Sequence, residues 1–130
     1  MSTNDSPFSR THRETVAPVR EITPHELARM KPLPVIIDIR EQEAFLSGHI
    51  DGARHISRAT LEREIHGIAP DPTTSIVVYC AVGHRGPLAA EQLQRLGYRN
   101  VSALKGGLQR WLEAGGIVEC PKSSSLAGTV

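Results

Sequence analysis

Two short runs, Val35-Ile36-Ile37-Asp38-Ile39 and Ser75-Ile76-Val77-Val78-Tyr79, are apolar and β-branched without alternating. A strand with one wet face alternates polar and apolar side chains. An unbroken apolar run predicts a strand buried on both faces, as in a parallel sheet. Helix signals lie between and around the two runs. Thr23-Pro24-His25-Glu26 starts a helix, with Thr23 able to cap, Pro24 suited to the first turn and Glu26 closing a capping box. Leu27 and Met30, three apart, give it an inner face, and Lys31-Pro32-Leu33-Pro34 ends it. Residues 41–47 read as a helical turn ended by Gly48, residues 53–56 as a short strand, and residues 59–66 as a helix begun at Ser57 and ended at Gly67 and Pro70. Pro87 to Leu96 is a helix with Ala89, Leu93 and Leu96 on one stripe and Glu91 paired with Arg95 outside. Gly97 is its expected C′ residue. Val101 to Leu104 is a further strand, and Gly106 to Ala114 a last helix closed by Gly115-Gly116, with Trp111, Leu108 and Leu112 as its core face. Strands alternating with helices predict an α/β domain with a mainly parallel central sheet.

One domain accounts for this pattern in 130 residues. Residues 1–18 hold no apolar periodicity and read as a flexible lead, residues 19–118 as the folded domain, and residues 119–130, rich in Ser and Gly, as a flexible tail. Fifteen basic against fourteen acidic residues leave a charge of +1. That balance argues against non-specific binding to nucleic acid or anionic membranes, which needs a net basic field. No apolar run is long enough to span a bilayer, and Met1 to Arg20 contains no secretory h-region, so the expected setting is the cytoplasm. There a cysteine is judged by its chemistry rather than by pairing, and the chain has two, Cys80 and Cys120. The six histidines show no metal-ligand spacing.

Ligands of open parallel sheets bind outside the carboxyl ends of the strands. The run ending at Tyr79 passes there into Cys80-Ala81-Val82-Gly83-His84-Arg85-Gly86, and a helix follows at once. A tight glycine turn before a helix aims backbone N–H groups at one spot, and the helix dipole adds to their field. Cys80 heads the turn, so its sulfur lies in that field, which favours the nucleophilic thiolate. Arg85 adds a fixed charge and a planar fork for an oxyanion. A lone cysteine at a strand end reads as a small buried hydrophobe. The glycine turn, the arginine and the helix together turn that reading to a reactive thiolate.

Here the sequence resembles a known family. Tyr79 to Arg85, followed by Ala89-Ala90, Leu93, Gly97-Tyr98, Val101, Leu104, Gly106-Gly107 and Trp111, is similar to the active-site half of the rhodanese-like domains. Asp38-Ile39-Arg40 and Gly48-His49-Ile50-Asp51-Gly52-Ala53 resemble that family's two upstream motifs. The likeness runs from about Val19 to Gly116. It implies the rhodanese-like three-layer fold, with helices on both faces of the sheet, and a sulfurtransferase that carries sulfur as a persulfide on Cys80. The loop residues Ala81, Val82, Gly83, His84, Arg85 and Gly86 would then bind the substrate. By the same resemblance Asp38 and Arg40 brace the site as a polar pair. His49 reads as a hydrogen-bonded packing residue. His84 faces either solvent or substrate, and Cys120 is expected to be idle.

The expected reaction moves sulfane sulfur from thiosulfate or a persulfide donor to cyanide, a thiol or a sulfur-acceptor protein, with no cofactor. The sequence departs from the family pattern at two places, the first of which bears on substrate preference. Gly86-Pro87 stands where a serine commonly follows the loop arginine, and Asp51 where a proline is common. Two rivals remain. One is a cysteine phosphatase or arsenate reductase, whose loops are one residue longer than the Cys-x4-Arg spacing here. The other is a non-catalytic rhodanese-like module that binds a partner.

Overall fold

The structure is a computed structural model and describes residues 18–121. The lead before Pro18 and the tail beyond Pro121 lie outside the described residues. In chain order the elements are β1 (Arg20–Ile22), α1 (Pro24–Arg29), β2 (Val35–Asp38), α2 (Gln42–Ser47), β3 (His49–Ile50), β4 (Arg54–His55), a 3-10 turn (Arg58–Thr60), α3 (Leu61–Ile68), β5 (Ser75–Tyr79), α4 (Gly86–Arg95), β6 (Asn100–Leu104), α5 (Gly107–Glu113) and β7 (Val118–Glu119).

Five strands form one sheet in the order β1-β6-β5-β2-β4, and every neighbouring pair is parallel. The unbroken apolar runs are explained by a core on each side. On one face Ile37, Ile76 and Val78 pack with Leu61, Ile65, Ala89 and Leu93 of α3 and α4. On the other, Ile36, Val77 and Tyr79 pack with Leu27 of α1 and Trp111 of α5. Successive side chains of one strand point to opposite faces, so both parities must be apolar when both faces are covered. Fold class and layering agree with the expected α/β three-layer arrangement.

Local signals hold in detail. Thr23 Oγ1 accepts from Glu26 N at 3.1 Å while Thr23 N donates to Glu26 Oε1 at 2.8 Å, which completes the capping box. Helix α4 ends in a Schellman motif, with Gly97 N donating to Gln94 O and Tyr98 N to Leu93 O around a Gly97 φ of 106°. Arg95 pairs with Glu91 at 3.0 Å.

The sequence left three features unread. Strand β1, three residues long, carries no period, and only its pairing with β6 makes it a strand. Helix α3 runs through Gly67 to Ile68, because the buried Ile65 anchors its last turns. Glu119, assigned to the tail by composition, pairs with His49 in a separate antiparallel ribbon of β3 and β7. One core expectation is corrected: Leu112 is half exposed, because α5 turns only Trp111 and part of Leu108 inward.

Candidate active site

Strand β5 delivers Cys80 to the carboxyl edge of the sheet, and the chain turns there through residues 81–85 into α4. The thiol is buried, and its Sγ accepts from Gly83 N at 3.2 Å and from Arg85 N at 3.3 Å. Gly83 makes the turn possible at a φ of 95°, a value that side chains disfavour. Helix α5 pins the loop from below: Leu108 N donates to Cys80 O at 2.9 Å and Gln109 N to Ala81 O at 3.0 Å.

The predicted loop residues gather round one cavity of about 380 Å³. Cys80, Ala81, Val82, His84 and Arg85 line it together with Ile39, Arg40, Glu41 and Ala44. Gly83 lies within the turn, and Gly86 is buried as the first residue of α4. His84, Val82 and Arg85 are exposed. A larger cavity of about 530 Å³ lies at the amino ends of β5 and β6 and has Arg20, Arg29 and Arg99 on its walls. It has no cysteine on its walls, so chemistry rather than size selects the Cys80 cavity.

Asp38 and Arg40 do form a pair, as the resemblance implied. Arg40 Nη2 meets Asp38 Oδ2 at 2.7 Å, its Nε reaches both carboxylate oxygens, and its Nη2 also donates to Gly48 O at 2.6 Å. Burial works against the Arg40 charge, but the adjoining Asp38 carboxylate outweighs it and raises the guanidinium pKa. Burial, and then the Asp38 charge, pushes the Tyr79 phenol upward, so its oxygen stays neutral and accepts from Ile50 N at 3.0 Å.

His49 sits apart from the cavity walls. It is buried and stacks on Phe45 at 3.7 Å. Its Nδ1 lies 2.8 Å from Phe45 O and its Nε2 2.9 Å from Glu119 Oε1, both within hydrogen-bond reach. Its bonds hold the β3–β7 ribbon together and touch no cavity group. Sequence reasoning missed Glu41 and Ala44 as wall residues, since a helical turn read from the sequence does not say what it faces. It also missed Glu119. Cys120, at the end of β7, is only partly buried beside Gly48 and is a free thiol, as is Cys80. Among the described residues no group of His, Cys, Asp and Glu is placed to hold a metal ion, and no helix is long and apolar enough to cross a membrane.

A parallel three-layer α/β domain with a cysteine seated in an N–H-lined turn at the carboxyl edge of its sheet defines a class of cysteine-loop domains. Within that class the chain belongs to the rhodanese-like domain family, whose model matches residues 23–114. It is 38% identical over 77 residues to a thiosulfate sulfurtransferase GlpE of Stutzerimonas stutzeri, covering 59% of this chain and 69% of that protein. Two solved structures are also similar. A rhodanese-related protein of Thermoplasma volcanium has a TM-score of 0.70 at 29% identity, over 78% of this chain and 98% of its own. A thiosulfate sulfurtransferase of Pseudomonas aeruginosa has a TM-score of 0.68 at 35% identity, over 77% of this chain but 20% of its own.

Proposed function

We propose that Cys80 is the nucleophile of this sulfurtransferase and carries sulfur as a persulfide. The enzyme class is that of the thiosulfate sulfurtransferases it resembles at about the 35% level. The observation that carries the cysteine assignment is the pair of loop N–H groups on Cys80 Sγ, which stabilise a negative sulfur in a buried place. The Cys80 thiolate attacks the outer sulfur of thiosulfate. The sulfur–sulfur bond of the donor breaks and sulfite leaves with its electron pair. Cyanide or a thiol then attacks the terminal sulfur of the Cys80 persulfide and restores the thiolate. This is double displacement through a covalent intermediate. The loop amides and Arg85 hold the anionic donor and then the persulfide, while Asp38 and Arg40 keep the β2 edge rigid beside them. His84 stands at the cavity rim.

The working unit is residues 19–118 extended by Glu119, and the acceptor is a small thiol or a sulfur-acceptor protein. The cytoplasm, whose thiol pool keeps Cys80 reduced, suits this chemistry. The Cys-x4-Arg loop is one residue short for the phosphatase reading, and the presence of Cys80 speaks against a purely binding module.

Incubation with thiosulfate followed by intact-mass and peptide mass spectrometry tests the mechanism. The Cys80 peptide should gain one sulfur, which cyanide removes. Measurable turnover without that gain would overturn the covalent route.

A further inference from the structure

The Cys80 cavity has a charge pattern that suits thiosulfate poorly. Arg40 contributes little free charge to it, because three hydrogen bonds tie its guanidinium to Asp38 and a fourth to Gly48 O. Arg85 is the remaining arginine on the walls, and Glu41 lines the same cavity. Glu41 is exposed, makes no side-chain cap to α2, and its carboxylate bonds to nothing among the described residues. A dianion entering this cavity meets a carboxylate as well as the loop amides.

Size and polarity point the same way. The cavity shares Arg40 and Ala44 with a second one of about 400 Å³, whose walls include Leu108, Leu112 and Val118. The two therefore adjoin as one mainly apolar trough that starts at Cys80. Such volumes suit organic ligands rather than small inorganic ions, and thiosulfate would leave most of the trough empty. Gly86, where the family commonly has a serine, offers no hydroxyl to an oxyanion.

We propose that the preferred sulfur donor is an organic persulfide carrying an ammonium group, and that Glu41 selects it by facing that group across the cavity. This rests on Cys80 being the nucleophile. The donor's carbon chain lies along the trough, and its terminal sulfur meets Cys80. The Cys80 thiolate forms a bond to that sulfur, the donor's sulfur–sulfur bond breaks, and the departing thiolate takes the proton that the terminal sulfur carried. The products are a Cys80 persulfide anion and a neutral thiol. No oxidant or reductant is consumed. Thiosulfate remains a substrate, handled less well because its charge is opposed.

Three donors of different charge test this: cysteamine persulfide, 3-mercaptopropionate persulfide and thiosulfate, each with cyanide as acceptor. An exposed charge contact is worth at most a few-fold in kcat/KM, and the first two donors differ by two charges. The expected preference for cysteamine persulfide over mercaptopropionate persulfide is therefore about fivefold at low salt. It should shrink at high salt through screening. Glu41→Gln should level the two donors and improve thiosulfate, and Glu41→Lys should reverse the preference, with unchanged thermal melts. Equal use of both persulfides by the native enzyme, or a preference that survives Glu41→Lys, would overturn the proposal and leave Cys80 as nucleophile. Turnover without any sulfur on Cys80 would overturn both.

Discussion

Gly107 packs its backbone against Cys80 so closely that a Cβ on Gly107 would stand 2.5 Å from the Cys80 carbonyl oxygen. The same residue sits at a φ of 62°, where glycine alone is unstrained. The contact lets the first turn of α5 bond the Cys80 and Ala81 carbonyls and fixes the loop. Gly107→Ala should cost about 1–3 kcal/mol from backbone conformation alone and lower Tm by about 5 °C or more. Activity measured well below that Tm should also fall, because the loop must move. Calorimetry and the thiosulfate:cyanide assay check the two halves separately.

Cys80→Ser should abolish turnover, whereas Cys120→Ser should keep most of it. The motive is position: Cys80 receives two loop N–H groups, and Cys120 lies at the end of β7. An inactive Cys120 variant beside an active Cys80 variant would reverse the assignment.

Arg85 is exposed on the cavity rim, and only its backbone N–H reaches Cys80 Sγ. Replacing it with alanine should leave Tm nearly unchanged and cut kcat/KM for thiosulfate by at least about tenfold, since a charge-assisted contact to an oxyanion is lost. A large fall in Tm would make Arg85 a structural residue instead.

Asp38 is fully buried and is the carboxylate partner of Arg40. Asp38→Ala leaves a largely enclosed guanidinium without its partner, at a cost of about 3 kcal/mol. The double variant with Arg40→Ala should be less destabilised than the sum of the single ones, because the stranded charge is gone. Urea titrations of the four proteins measure the coupling, and simple additivity would refute it.

Glu119 should make the β3–β7 ribbon sensitive to acid. Its hydrogen bond from His49, and then one from Gly52 N, hold its carboxyl below the ordinary value of 4.5. A lowered folded value means that folding favours the ionised form. The contribution is therefore complete above the ordinary value and is lost as the pH falls through the lowered one. Native protein and Glu119→Gln should differ in stability near neutral pH and converge in strong acid. A difference that stays constant across that range would rule out the carboxylate as its source.

Much of this was legible in the chain itself. The doubly apolar runs at 35–39 and 75–79 required a sheet covered on both faces, because either parity of side chain would otherwise meet water. The capping box at Thr23 and Glu26 and the C′ glycine at Gly97 are contacts within a few residues, so the local sequence alone specifies them. The order of strand, cysteine, glycine turn and helix likewise places Cys80 at the carboxyl edge of a parallel sheet. What the chain left open depends on residues far apart in sequence. Strand β1 exists only because β6 offers it a ladder, and Glu119 is structural only because His49, 70 residues earlier, turns its ring nitrogen toward it. Glu41 looks like any exposed helix-end acid until the β2 edge folds beside the loop and makes it a wall of the Cys80 cavity. Short-range hydrogen bonds and side-chain periodicity are written locally. The facing of one segment toward another is settled only when the sheet closes and packs.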